Sequence, residues 1–571
     1  MSLDTRARHT KTSNEVHSEY YGNILSLFWA IPILASFILV IALRLYRGNR
    51  KYGFLVASFK KNIMLPATFG RKHITHTKFF GISWYTTPLR WQTLLILAYV
   101  LLNVVLIFVH RDFVYEPTPK AWAIQVARFY ANRSGIMATT MIPLLFLFGG
   151  RNNIMTAVTA WSHETFKLFH RWIGRMMLVQ SIVHGAGFTS YYFMIGGFDD
   201  YYFNMIADNA NMWGIIVIAI ATVIMVQAAY PFRHYWFEVF IVGHVILAGA
   251  FVAALRVHLA NHGFSYYTYA AIAVWAFDRV IRIVRIVLAG VDTKAQICAY
   301  GNATHLVVKP SVQFKAQPGQ YVFLYVMRNR FWESHPFSVM DSKADGSYVL
   351  VAKAQAGMTQ RLLKCATKEP GNDNVIRVWV EGPYGKTYPV ARYDTVLLVA
   401  GGIGVTAIMS YALGLTRTSR SGQHVVLYWT VREAESLNWV KEQLEELEHG
   451  GIVDVKIFIT AECSMHSSTD DLSDEKRMCQ IDSGSADTLC HPDLANKSAS
   501  IESVSTSVAI SYGNRPDMRK IIEGFIRDPN SGSVAVVSCG PGPLVDTCRK
   551  AVADNMNNAV GRVDYFEDAL S

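Results

Sequence analysis

Two apolar segments each carry two histidines at one shared interval. "FHRWIGRMMLVQSIVHG", residues 169–185, holds His170 and His184, and "GHVILAGAFVAALRVHL", residues 243–259, holds His244 and His258; both pairs are fourteen residues apart. A helix turns about 100° and rises about 1.5 Å per residue, so each pair returns to within about 40° of one direction at depths about 21 Å apart. An ionisable side chain inside an apolar span is costly and marks a functional site by default. Any one of these histidines could simply hydrogen-bond to a neighbouring helix, but matched pairs on two spans argue for ligation. Neutral imidazole is a ligand of haem iron. If the two spans run in the same direction, His170 and His244 clamp an inner haem and His184 and His258 an outer one. Zinc fits less well, because ligands at two depths that far apart cannot converge on one tetrahedral ion. His262 is the rival outer ligand, whereas His163 and His234 read as solvated boundary residues.

Those segments belong to a strongly apolar first half. Seven stretches read as spans, near 24–45, 91–109, 134–150, 170–193, 213–230, 235–256 and 265–287, most of about the length that crosses a hydrocarbon core. The first is too long for a signal peptide's apolar region and reads as a retained anchor. Segment 46–90 holds nine Lys and Arg and no Asp or Glu, which predicts a cytosolic loop by the positive-inside rule. Alternation then places an N-terminal tail, 1–23, outside and everything after residue 289 in the cytosol. The net charge of +11 is therefore a topology signal, and no nucleic-acid partner is expected. The lipid bilayer is the expected setting of residues 24–289.

The texture changes after that point. Short β-rich runs over 290–390 predict a β domain, and strand–helix alternation over 391–571 predicts an α/β domain. The stretch 463–507, rich in Ser and Asp with little apolar content, reads as a disordered insertion. "SHPFSV" places His335, Pro336, Phe337 and Ser338 between two strand-like runs. "AGMTQRLL" brings Gly357, Met358 and Thr359 to a helix start, where Thr359 reads as the N-cap and a pyrophosphate could bind. "TVLLVAGGIGVTAIMSYAL" runs an apolar strand into Gly401, Gly402 and Gly404, then Thr406 and a helix, the order a dinucleotide site needs. The next strand ends near Arg432, where a guanidinium could pair with a 2′-phosphate. A further buried strand ends in Cys539, Gly540, Pro541 and Gly542, at the edge where ligands bind in open α/β sheets.

In this order and spacing, the paired histidines with "RSGIMATTMIPLLFLFGGRNNIM", "LFHRWIGR", "HPFSV", "EGPYG", "AGGIGVT" and "SCGPG" resemble the ferric reductase and NADPH oxidase superfamily. Over residues 130–570 the likeness is nearest to the fungal ferric/cupric metalloreductases. The resemblance implies a polytopic α-helical membrane domain of about seven spans, followed by a cytosolic FAD-binding β-barrel and a ferredoxin–NADP reductase-like α/β NADPH-binding domain. It implies two b-type haems, FAD at His335–Ser338 and Gly357–Thr359, with Ser338 at the reactive edge of the flavin, and NADPH at Gly401–Thr406, Arg432 and Cys539–Pro541. The function implied is electron transfer from cytosolic NADPH through FAD and two haems to ferric or cupric ions or chelates on the outer face. The alternative is a superoxide-generating oxidase with oxygen as acceptor. An NADPH-dependent ferric-chelate reductase of the plasma membrane, coupled to an iron or copper uptake system, is expected. The basic residues of the 110–133 loop, Arg111, Lys120, Arg128 and Arg133, are a candidate attractant for anionic chelates. Relatives commonly end in an aromatic residue that covers the flavin. This chain ends "VDYFEDALS", which leaves Tyr565, Phe566 or an open flavin face.

Overall fold

The computed structural model describes residues 13–45, 51–70, 72–80, 82–109, 113, 116, 118–312, 316–327, 333–368, 374–418, 422–461 and 508–568. The expected insertion at 463–507 and Arg111 of the 110–133 loop fall outside them. The chain forms two compact units, one of residues 1–48 and 76–282 and the other of residues 49–75 and 283–571.

In chain order the helices up to the division are α1 (Ser13–Phe28), α2 (Ala30–Leu45), α3 (Phe54–Phe59), α4 (Arg90–Phe108), α5 (Pro119–Thr140), α6 (Ile142–Gly149), α7 (Met155–Thr159), α8 (His163–Tyr201), α9 (Asn209–Gln227), α10 (Tyr230–Tyr235), α11 (Phe237–His258) and α12 (Ser265–Ala289). A short hairpin, β1 (Thr77–Phe79) and β2 (Ile82–Tyr85), precedes α4. All but α3 belong to the first unit, with α12 reaching across the division. Each of the seven expected spans falls on helix. Among the described residues, four helical segments, residues 13–42, 90–108, 209–227 and 237–258, are long and apolar enough by themselves to cross a membrane.

The other three depart for visible reasons. The expected span 134–150 straddles a break at Met141, between α5 and α6. The start of α8 carries Glu164, Lys167, Arg171 and Arg175, and the second half of α12 carries Asp278, Arg279, Arg282 and Arg285. The largest change is at the supposed 110–133 loop, most of which is the first half of α5. Thr118 caps that helix by accepting from the Ala121 N–H, and Pro119 occupies its first turn. Arg133 is fully buried, with Tyr21 and Phe129 on its guanidinium at 5.0 and 4.6 Å and Nη1 donating to the Val109 carbonyl. It is a structural cation satisfied inside the bundle, and Arg128 lies 5.6 Å from the Tyr191 ring. The reading of Arg133 as a chelate attractant therefore fails.

The second unit holds two sheets. An antiparallel sheet of β3 (Lys294–Tyr300), β4 (Ala303–Lys309), β5 (Gln320–Val326), β6 (Ser334–Ser338), β7 (Asp341–Ser342), β8 (Tyr348–Lys353) and β9 (Val375–Gly385) runs in the order β6-β5-β9-β3-β4-β8-β7, with α13 (Met358–Lys368) packed on it. A parallel sheet follows, with β10 (Thr395–Gly401), α14 (Val405–Thr418), β11 (His424–Val431), α15 (Lys441–Gly450), β12 (Val453–Ile459), β13 (Val508–Tyr512), α16 (Met518–Arg527), β14 (Val534–Cys539), α17 (Gly542–Asn555) and β15 (Val563–Glu567). Its order, β13-β12-β11-β10-β14-β15, reverses between β10 and β14. Both faces are covered, which is why β10 and β14 are continuous apolar runs. Arg417 on α14 pairs with the buried Asp341 on β7 at 2.8 Å, and the buried His305 Nε2 donates to the Trp439 carbonyl at 2.6 Å, so polar contacts join the two sheet domains.

Residues 49–75 pack on the parallel-sheet domain. Ala57, Tyr52 and Leu65 join its core beneath α16 and α17. Lys60 and Tyr52 bond to the Asp564 carboxylate. Burial alone would raise the Asp564 carboxyl, but Lys60 and Arg562 outweigh it and hold it below the ordinary carboxylate range. Asp546 accepts from the backbone N–H groups of His73, Ile74 and Thr75 at 3.0–3.1 Å, as a carboxylate does at a turn.

Candidate functional site

Helix α8 holds His170 and His184, and α11 holds His244 and His258. The structure pairs them by depth: the ring centroids of His170 and His244 lie 6.2 Å apart, and those of His184 and His258 lie 6.1 Å apart. Metal–imidazole bonds are about 2.0 Å, so two rings bound on opposite sides of one iron would have centroids about 6 Å apart. Three of the rings are also oriented for this. Nδ1 of His170, His184 and His258 lies 2.9, 2.8 and 2.8 Å from the carbonyls of Leu145, Ala131 and Ala210. A carbonyl only accepts, so each Nδ1 carries the proton and Nε2 keeps its lone pair for a ligand. Nδ1 of His244 is buried without a partner. The residues fit two bis-histidine haems. His262 lies 5.4 Å from the His258 ring and is not one of the facing pairs.

In the antiparallel sheet, β6 carries the His335–Ser338 motif on an edge, paired with β5 in the register Tyr321↔Ser338 to Tyr325↔Ser334. Phe337 and Ser338 are buried. Glu333 joins this motif to the next: one carboxylate oxygen lies 3.0 Å from His335 Nε2 and the other accepts from Arg361 of α13. Gly357 has φ +85° and turns the chain into α13, which begins at Met358. Thr359 is therefore inside the first turn and not the N-cap; its Oγ accepts from the Gln355 N–H at 2.9 Å. The left-handed glycine makes the entry that the threonine was expected to make. Sequence reasoning passed over Glu333 and Arg361. The signal was an acid two residues before His335, since residues i and i+2 of an extended chain share a face.

In the parallel sheet, two glycine-rich corners meet where the strand order reverses. β10 leads through Gly401, Gly402 and Gly404 into α14, and β14 through Cys539, Gly540 and Pro541 into α17, with Ala400 opposite Cys539. The corners touch through backbone: a Cβ on Gly404 would meet the Cys539 carbonyl oxygen at 2.6 Å, and one on Gly401 would meet Pro541 Cδ at 2.7 Å. Trp429 Nε1 donates to the Gly402 carbonyl at 3.1 Å, and Thr406 Oγ to Ile403 at 3.0 Å, so side chains fix the loop from behind. Arg432 is exposed just beyond β11, the neighbour of β10. This is a crevice at the carboxyl ends of parallel strands at a topological switch point.

Neither C-terminal aromatic is free. Tyr565 shares a hydrogen with Ser538 at 2.7 Å, and Phe566 stacks on Tyr388 at 4.7 Å. Nearby, burial and then Glu567 push the Asp568 carboxyl up to about 7, and burial pushes the Lys386 ammonium down to about 7.

Three stretches match families in the same order as these sites. Residues 134–255 match the ferric reductase like transmembrane component, 290–388 an FAD-binding domain and 393–553 the ferric reductase NAD binding domain. The ferric reductase transmembrane component 4 of Saccharomyces cerevisiae is 32% identical, over 96% of this chain and 78% of its own. The chain belongs to the ferric reductase family. A ferric/cupric reductase transmembrane component of Candida albicans is 31% identical, over 96% of this chain and 71% of its own. This family member is thus a membrane protein with a transmembrane component followed by FAD- and NAD(P)-binding domains.

Proposed function

We propose that the protein transfers electrons from cytosolic NADPH, through FAD and two b-type haems, to ferric or cupric ions or their chelates on the outer face of the plasma membrane. The observation that carries this reading is the depth-matched pairing of His170 with His244 and His184 with His258 at 6.2 and 6.1 Å. When bound, these cofactors supply hydride acceptance and one-electron transfer, chemistry that side chains lack. The chain's own residues bind, orient and separate. Gly401, Gly402 and Gly404 present backbone to the dinucleotide pyrophosphate, with Cys539, Gly540 and Pro541 forming the facing wall. His335, Pro336, Phe337 and Ser338 line the flavin with Gly357, Met358 and Thr359, and Glu333 locks the two halves of that site together. The four histidines hold the irons at two depths. The basic 46–90 segment supports a cytosolic position for the nucleotide domains by the positive-inside rule, and the reduced ion would leave on the face where an uptake system collects it.

A reduced-minus-oxidised spectrum and denaturing FAD release test the relay; a protein with neither b-type haem nor FAD ends it. For the acceptor, purified enzyme in liposomes given NADPH should form Fe(II) from a ferric chelate at a rate unchanged by superoxide dismutase and by anaerobiosis. Reduction that vanishes under either condition makes superoxide the product. For the nucleotide, Arg432→Ala should raise the KM for NADPH and leave that for NADH unchanged. A charge-assisted hydrogen bond contributes about 1.5–3 kcal/mol, or roughly 10- to 150-fold. Equal effects on both nucleotides would make Arg432 structural.

A further inference from the structure

Three of the four paired histidines are held by one repeated device. His184, His170 and His258 donate through Nδ1 to the carbonyls of Ala131, Leu145 and Ala210, on α5, α6 and α9. In every case the residue four further along that helix is a glycine: Gly135, Gly149 and Gly214. A helix side chain leans back over the turn that precedes it, so residue i+4 stands over the carbonyl of residue i. Without a Cβ there, the second lone pair of that carbonyl is open from the side. The spacing leaves no room for anything larger. A Cβ on Gly135 would lie 2.3 Å from His184 Nδ1, one on Gly214 2.8 Å from His258 Nδ1, and one on Gly149 3.1 Å from His170 Nδ1. Ordinary contacts between heavy atoms fall at about 3.5–4.0 Å.

We propose that Gly135, Gly149 and Gly214 are positioning residues for the haem ligands, each opening a helix carbonyl that fixes one histidine by its Nδ1–H and presents its Nε2. The inference rests on the haem reading above and names what holds the rings. Glycine weakens a helix interior by about 1 kcal/mol relative to alanine, so Gly135 and Gly214, inside α5 and α9, cost helix stability and are explained by the rings they admit; Gly149 is the last residue of α6. The outer pair, His184 and His258, has both imidazoles fixed this way. The inner pair has one, because His244 Nδ1 has no acceptor. Donation from Nδ1 raises the basicity of the ligating nitrogen and favours the oxidised metal, so losing it moves the potential to a more positive value.

The test is the set of single Gly→Ala variants in the full-length protein, read by haem per FAD, by redox titration of the b-type absorption and by the low-spin ferric EPR signals. Gly135→Ala and Gly214→Ala should each lose the outer haem, halving the haem content, or shift its midpoint positive with a changed EPR signal, and leave the inner haem as it was. Gly149→Ala, with the mildest overlap, should keep both haems and shift only the inner one. Gly249→Ala is the control on a histidine helix: it lies about 140° round the helix from His244, a Cβ there meets only Trp275 at 3.8 Å, and both potentials should stay in place. If Gly135→Ala fails to assemble, Gly149→Ala decides. An inner haem with unchanged midpoint and EPR signal in Gly149→Ala, or an outer one unchanged in an assembled Gly135→Ala or Gly214→Ala, overturns the inference while the haem reading stands. A wild-type protein without haem overturns that reading instead.

Discussion

Alanine in place of His184 should leave an assembled protein that holds one haem instead of two. It should reduce no acceptor across the membrane, while NADPH still bleaches its flavin. His184 faces His258 at 6.1 Å, and its Nδ1 is already committed to the Ala131 carbonyl, so Nε2 is the one ring nitrogen left to bind metal. His258→Ala should have the same effect. The second site is independent because fourteen residues of helix separate the two depths by about 21 Å, and the partners of His170 and His244 are different. Haem per FAD should therefore fall from two to one and not to zero. Because removing a ligand can also destabilise the fold, the count belongs on protein that runs as a single species on size exclusion. His262→Ala should retain both haems. If His184→Ala and His258→Ala kept two haems and His262→Ala lost one, the outer ligand would be misassigned.

The second large effect is expected at Gly404. A methyl there would meet the carbonyl oxygen and carbon of Cys539 and the nitrogen of Gly540 at 2.6–2.8 Å. All three are backbone atoms at the ends of a buried parallel sheet, so no rotamer change relieves the overlap. The corner must open. Overpacking typically costs about 1–3 kcal/mol, and near the upper figure the rate of NADPH-dependent flavin bleaching falls roughly 100-fold. Gly402→Ala is the calibrating variant. It has φ +53° and nothing within 4 Å of its Cβ, so only the left-handed backbone is disfavoured, by about 1–2 kcal/mol. Gly404→Ala should therefore be the more damaging, with FAD retained in both. Stopped-flow bleaching under anaerobic conditions measures this, and a wild-type rate in Gly404→Ala would remove the nucleotide from this corner.

The parts of the molecule that showed in the sequence are those in which one local rule sets both sequence and geometry. Fourteen residues on a helix bring a side chain back to its own face, so the histidine pairs were legible before any packing was known. A strand that runs into glycines and then a helix is similarly local, and both corners sit where that order placed them. What was misread depended on partners distant in the chain. Arg133 looked like a solvent-facing cation because nothing nearby in sequence announces Tyr21 or the Val109 carbonyl. With that charge, Lys120 and Arg128 in α5, an average over hydropathy places the start of the span at residue 134, although the helix begins at Pro119. The role of Thr359 was lost to a competitor two residues earlier, since Gly357 takes the left-handed conformation and starts the helix itself. Lys60, one of nine basic residues that argued for the cytosol, is paired with Asp564 across five hundred positions, which no local pattern reveals.

That last contact bears on how the protein is made. Residues 49–75 are the first part of the nucleotide-binding unit to be synthesised, yet the strand that opens their sheet, β10, begins at residue 395. At about 5–20 residues per second, roughly a minute or less of translation separates the two, and most of the apolar helices are synthesised in between. Throughout that interval Tyr52, Ala57 and Leu65 have no core to enter and Lys60 has no carboxylate. The parallel sheet, once complete, receives a segment made more than three hundred residues before its first strand. A gene fragment that starts at residue 290 would encode every strand of both sheets and still produce a domain with the surface beneath α16 and α17 uncovered.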